Sequence, residues 1–245
     1  MKIPKSHPRY VSLKTRELIV DGVRKGITSL DGLVAHGRGE AFDYLIGEKT
    51  NDFAERSIEA AAALLLTAKN PVISVNGNTA ALSPKETAEL AMIIPAAIEV
   101  NIFHGSKGRE IKIKGHLIKH GAKEVLLPNK NCKIKYLESN RKYVNPGGIF
   151  KADVVLVPLE DGDRTEALTK NGKKVIAIDL NPMSRTAQKA AITIVDNMTR
   201  ALPLLTNAIK KLKNHNNEKL RDVIHNYDNK KSLRDSLNYM LKNLP

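Results

Sequence analysis

The sequence predicts an α/β fold, a mostly parallel sheet flanked by helices, and three observations carry that prediction. Short runs of branched apolar residues recur along the chain: PVISV, IEVNIF, DVVLV, VIAID and ITIV. Each run leads into polar residues and then a stretch with helical spacing, which is the order of repeated βαβ units. Only 4% of the 245 residues are aromatic and tryptophan is absent, so the core must be built from Ala, Val, Ile and Leu, the residues that fill strands buried on both faces.

Taken in order, the chain opens with Pro4 and Pro8, and residues 11–25 then carry Leu13, Leu18, Ile19 and Val23 at helical spacing. Within the next segment, GLVAHGRGEAFDYLIGEKT, the stretch HGRGEAFDY reads as a loop. An alanine-rich helix is expected over residues 51–69, with Asn51 as its N-cap. Strand PVISV precedes a helix over residues 84–97; IEVNIF precedes a mixed segment ending near His120; EVLL reads as a further strand. Residues 128–148 form a loop-like basic stretch. In the last third DVVLV, VIAID and ITIV each lead into a helical pattern, the last over residues 198–213.

Beyond this lies a basic tail with nine Lys or Arg against four Asp or Glu from residue 207 onward. Leu220, Val223 and Ile224, then Leu233, Leu237 and Leu241, keep helical spacing, so the tail reads as two amphipathic helices with a solvated basic face. The expected organisation is a Rossmann-like unit over residues 1–213, N-terminal helices included, and a helical extension over residues 214–245.

Composition narrows the function. Cys132 is the single cysteine, so no internal disulfide forms, and no charged-then-apolar leader opens the chain. The longest apolar run, AAAALLLTA, is far too short to span a bilayer. A cytoplasmic protein without a membrane partner is expected. Forty Lys+Arg against 26 Asp+Glu, a net charge of +14, points to an anionic partner. No aromatic stacking platform or nucleic-acid motif accompanies that charge, so nucleic acid is not the expected one. A phosphorylated small molecule fits better.

In open parallel sheets ligands bind beyond the carboxyl ends of the strands, so the loops that follow the strands are the candidate site. After PVISV come Asn76-Gly77-Asn78, where glycine allows close backbone approach and the Asn amides can donate and accept. Arg38 stands between Gly37 and Gly39, uncrowded and able to grip a phosphate with both arms. VIAID ends in Asp179, where such folds set an acid on ribose hydroxyls; Ser184 is expected to cap a helix whose first turn holds Arg185 and Thr186. ITIV ends near Asp196-Asn197, either of which could cap the next helix. After DVVLV, Glu160, Asp161, Asp163 and Glu166 surround Arg164. Asp163 and Glu166 have the spacing of an N-cap and its N3 partner, which leaves Glu160 and Asp161 to hold Mg²⁺ or a substrate ammonium. The Walker loop, zinc spacing and nucleophile elbow are all missing from the sequence.

Taken together, IPKSHPRY, GLVAHGRGEAFDYLIGEKT, NPVISVNGNTAAL, ADVVLVPLEDGDRTEAL and KKVIAIDLNPMSRTAQKAAITIVDN resemble the archaeal 4-phosphopantoate–β-alanine ligase family, over residues 3–205. The resemblance implies a Rossmann-like homodimeric enzyme of coenzyme A biosynthesis. Such an enzyme condenses 4-phosphopantoate with β-alanine, through an acyl-adenylate, while ATP with Mg²⁺ becomes AMP and pyrophosphate. By analogy the nucleotide contacts are Arg16, Arg38, Asp179, Leu180, Asn181, Arg185, Thr186, Asp196 and Asn197. Phosphopantoate would be oriented by Asn76, Gly77 and Asn78. β-Alanine would meet Glu160, Asp161 and Arg164, with Asp161 or Asp163 attracting it and assisting its deprotonation, or one of these two binding Mg²⁺ instead. Arg38, Asn76, Asp161 and Asp163 are thus the candidate catalytic group.

Overall fold

The computed structural model describes residues 3–103, 105–159 and 161–242. Two helices open the fold, α1 (Tyr10–Arg24) and α2 (Leu30–Leu45), followed by α3 (Asp52–Thr67) and strand β1 (Pro71–Val75). Next come α4 (Gly77–Leu82), α5 (Pro84–Ile93), β2 (Ala97–Val100), α6 (Lys107–Lys119), β3 (Asn129–Lys133) and β4 (Tyr143–Val144). The chain continues through β5 (Val154–Pro158), α7 (Gly162–Lys170), β6 (Lys174–Ile178), α8 (Arg185–Lys189) and β7 (Ile192–Ile194). It closes with α9 (Met198–Leu212), α10 (Asn217–His225) and α11 (Asn229–Lys242).

Strands β2, β1, β5, β6 and β7, in that spatial order, form one all-parallel sheet. Successive side chains of a strand point to opposite faces, so each strand feeds two cores. Ile73, Val75, Val154, Leu156, Ile176 and Ile178 face the larger core with α3, α5 and α9. Val72, Val155, Val157, Val175 and Ala177 face the smaller core with α7 and the β3–β4 ribbon. The expected α/β class is therefore present, and its strand order places a topological switch between β1 and β5. Chain connections leave these neighbours in opposite directions, opening a crevice at their carboxyl ends.

Several boundaries differ from expectation, each for a physical reason. EVLL makes no strand; Leu126 forms a single bridge with Glu99 at the sheet's edge. Residues 128–148, read as loop, contain the antiparallel pair β3–β4 and a 3₁₀ turn, Asn140–Lys142. The ribbon is held from below: the buried Glu99 carboxylate accepts Asn145 N–H at 2.9 Å and Ile149 N–H at 2.7 Å. Gly148 has no room for a Cβ against that carboxylate. Burial drives the Glu99 carboxyl up to about 7, against the pull of those two N–H donors.

The HGRGEAFDY stretch lies inside α2 rather than a loop. Ser29 caps this helix through Gly32 N–H, and Asp43, on its inner face, is anchored by Arg200 of α9. Those anchors outweigh the three glycines of α2, two of them in this stretch. Asn51 occupies the N-cap position of α3, but its side chain donates to Ile46 and Lys49 carbonyls rather than capping. The two tail helices form as expected and dock on α3. Leu220, Leu233 and Met240 enter the larger core, while Leu241, expected on the apolar face, is 66% exposed. Tyr227 and Ser232 reach Ser57 of α3 at 3.0 Å each.

Candidate active site

Beyond the carboxyl ends of the strands lies a cleft of roughly 620 Å³. Its floor is the β1–α4, β5–α7 and β6–α8 loops, and α2 forms one wall. It runs across the sheet, from β2 and β1 at one end to β6 and β7 at the other, with β5 between.

At the β6–β7 end, Asp179 turns back on its own loop. It accepts Asn181 N–H at 2.9 Å and the Ser184 hydroxyl, while Ser184 caps α8 through Ala187 N–H. Burial raises the Asp179 carboxyl above its usual range, and the hydrogen bonds and Arg38 only partly offset this. Arg38 lines the cleft from α2, exposed and with no ion pair among the described residues. Thr186 and Asn197 line the same end; Asn197 caps α9 through Thr199 N–H and donates to Asp43. Asp196 is buried behind this wall, held by Thr50 and Arg200 rather than facing the cleft. Asp43 and Asp196 together keep the Arg200 guanidinium charged despite its burial.

Arg185 lines the cleft but reaches outward, pairing with Asp163 and with Glu166 at 3.0 Å. Asp163 is therefore exposed and outside the cleft lining, and it does not cap α7. That N-cap is Asp161, which accepts Arg164 N–H at 2.9 Å. The reading of Asp163 with Glu166 as a capping pair is thus corrected: the chain turns two residues earlier. Glu160 lies outside the described residues.

Asp161 lines the cleft at its centre. Its second oxygen accepts from Arg141, whose guanidinium is buried and also donates to the Asn101 side chain at 3.0 Å and the Asn101 carbonyl at 3.1 Å. Burial alone would raise the Asp161 carboxyl, but the Arg141 charge and the Arg164 N–H hold it below the usual carboxylate range. Arg164 itself points into the fold: it is 0% exposed and donates to Ser74 of β1 at 3.1 Å.

At the switch point Asn76 clamps β1 to β5. Its Nδ2 donates to the Leu159 carbonyl at 2.7 Å and its Oδ1 accepts Thr79 N–H at 2.9 Å. Asn78 plays the same part toward α2, donating to the Gly32 carbonyl at 2.7 Å and accepting from Thr28. Gly32 permits this, because a Cβ there would overlap both Thr28 and Asn78. Both amides are engaged in shaping the cleft, and Gly77 lies in its wall.

Arg16 lies apart. On the outer side of α2 it pairs with Glu40 at 2.7 Å, in a second hollow that also holds Tyr44. His36 lines both hollows; its Nε2 is buried without a hydrogen-bond partner, and burial pushes the imidazole toward its neutral form. Sequence reasoning overlooked Arg109, Arg141, Asp31 and Phe103, all of which line the cleft. Arg141 gave no signal, being one basic residue in a basic stretch. Arg109 did: Gly108-Arg109-Glu110 repeats, beyond a strand, the Gly-Arg pattern that singled out Arg38.

Among the described residues no three His, Cys, Asp or Glu side chains gather as a metal cage. That arrangement does not suit a resident ion. A magnesium ion arriving on nucleotide phosphates makes a smaller demand, since it keeps waters and needs one or two carboxylates at most.

A family model for phosphopantothenate/pantothenate synthetase matches residues 53–243, tail helices included. The 4-phosphopantoate–beta-alanine ligase of Thermococcus onnurineus is 55% identical over 97% of this chain and 91% of the relative. That of Thermococcus kodakarensis is 53% identical over the same shares, and that of Methanosarcina mazei 50% identical over 99% of this chain and 95% of the relative.

Proposed function

The chain belongs to the phosphopantothenate/pantothenate synthetase family, and from that premise we propose that it condenses 4-phosphopantoate with β-alanine while ATP becomes AMP and pyrophosphate. The observation that carries this reading is the division of one cleft. Arg38, Asp179 to Asn181, Thr186 and Asn197, positions the family resemblance assigns to nucleotide, gather over β6 and β7. Asp161 stands at the middle, and the β1–β2 end is left for the acid.

A carboxylate is a poor electrophile, and joining it to AMP makes a mixed anhydride that an amine can attack. Two anions must first be held side by side. Arg38, exposed and with no ion pair among the described residues, offsets their repulsion and stabilises charge as pyrophosphate departs. Binding both in one cleft supplies proximity. Asp161, kept ionised by Arg141, is a fixed negative charge to attract the ammonium of β-alanine. With its oxygens engaged and its carboxyl shifted down it suits attraction better than proton abstraction. Asn76 and Asn78 act as positioning residues. Mg²⁺ enters with ATP as part of the nucleotide substrate. The active species is a cytoplasmic homodimer.

The test is AMP release from Mg²⁺–ATP with 4-phosphopantoate and β-alanine each present or omitted. AMP formed with both acid and amine, and phosphopantothenate in equal amount, is the expected result. Folded protein that releases no AMP in any combination overturns the reading.

A further inference from the structure

Four arginines and no lysine line the cleft among the described residues: Arg38, Arg109, Arg141 and Arg185. Two of them, Arg38 and Arg185, stand at the β6–β7 end. Arg141 is held by Asn101 and aims its charge at Asp161. Arg109 stands toward the β1–β2 end, on α6, which packs against α4 and β2, with Ile102 and Phe103 in the same cleft lining.

We infer that Arg109 is the residue that recognises the phosphate of 4-phosphopantoate, and so determines that the phosphorylated acid is the substrate. The inference rests on the function proposed above. If the acid's carboxylate must meet the nucleotide near β5, its other end extends away from β6, toward β1 and β2. Of the cleft arginines on that side among the described residues, Arg141 is 4% exposed and committed to Asn101 and Asp161, whereas Arg109 is half-buried on the cleft lining.

Local structure supports the assignment. Arg109 belongs to the first turn of α6, a helix of 13 residues capped by Ser106 through Arg109 N–H at 3.3 Å. A cation is disfavoured at that helix end, while an anion is favoured by the same dipole, so a bound phosphate satisfies both. The side chain is half-buried, and burial lowers its pKa while Asp31 raises it. A phosphate monoester carries more charge than a carboxylate such as Asp31 and presents three oxygens to a forked guanidinium. Leu82, Ile102 and Phe103 line the same end and offer apolar surface to the geminal methyl groups of the pantoyl chain.

The experiment is steady-state kinetics of AMP release by wild type, Arg109→Met and Arg109→Lys, varying each of the three substrates in turn. Arg109→Met is expected to raise KM for 4-phosphopantoate on the order of 10- to 100-fold, with KM for ATP and β-alanine changed by less than about twofold. Arg109→Lys should fall between, keeping the charge but losing the fork. Melting curves establish that both variants are folded, and should the Met variant unfold, the Lys variant decides. A phosphopantoate KM within about twofold of wild type in the deciding variant, or a uniform rise for all three substrates, overturns the assignment. Wild type without AMP release would instead sink the proposed function, a separate result.

Discussion

The two ends of the cleft are built on different plans. At the β6–β7 end most polar groups of the cleft lining are tied to near neighbours in sequence, Asp179 to Asn181 and Ser184, Ser184 to Ala187, Asn197 to Thr199, although Asn197 also reaches Asp43 of α2. At the β1–β2 end and the switch point the ties run between distant segments: Arg141 to Asn101 and Asp161, Asn76 to Leu159, Asn78 to Thr28 and Gly32. Local ties form as soon as a strand turns into a helix. Distant ties exist only when the sheet is assembled, so that end should be the more sensitive to disruption of packing.

The largest effect should come from breaking the central distant tie. Arg141→Met removes the guanidinium that donates to Asp161 and to Asn101, and should cost about 3 kcal/mol of stability, read by urea unfolding. A loss no greater than for a surface arginine would show that the distant network does not hold this end. Arg38→Ala, by contrast, removes a group with no part in the fold. It should leave the melting temperature alone and cut turnover at least about a hundredfold, as expected for a lost transition-state charge contact; near-wild-type rates would remove Arg38 from the site.

Glu99, beneath the ribbon that leads to Arg141, sharpens the comparison through pH. Its carboxyl stands at about 7 in the folded chain against an ordinary value near 4.5, so the native state holds a proton that the unfolded state releases. Its contribution is present below about pH 4.5 and is lost as pH rises through 7, about 3 kcal/mol in all. Glu99→Gln should flatten that slope; an unchanged pH profile of stability would show that the two N–H donors already keep Glu99 ionised.

A smaller effect is expected from Asp161→Asn. Asn also caps helices, so α7 should survive, and the loss should fall on β-alanine, with kcat/KM for the amine reduced about tenfold and KM for ATP unchanged. Equal losses for both substrates would assign Asp161 to architecture alone. The smallest belongs to Asp163→Ala, which breaks an exposed pair with Arg185 and should leave the melting temperature unchanged within about one degree.

The same division decides what could be read in advance. Apolar strand runs, capping residues and glycine turns act over a few residues, so the α/β class, the strands at PVISV, DVVLV, VIAID and ITIV, and the cap at Ser184 are written in the sequence, while the choice of Asn197 over Asp196 as the cap of α9 is not. The loops that follow β1, β5 and β6, which line the cleft, are written there too. The helix through HGRGEAFDY was not legible, because its two glycines argue against a helix and the contacts that outweigh them come from α9, more than a hundred residues away. The cap of α7 was misplaced for a similar reason: Asp161 and Asp163 are equivalent locally, and Arg141, from a distant ribbon, lies against the first. Local chemistry thus determined which residues could serve at a strand's end. Only the assembled sheet decided which carboxylate faces the cleft, which arginine is held inside the fold, and which arginines line the cleft. That choice depends on neighbours brought together by closure of the sheet, and no short-range pattern records them.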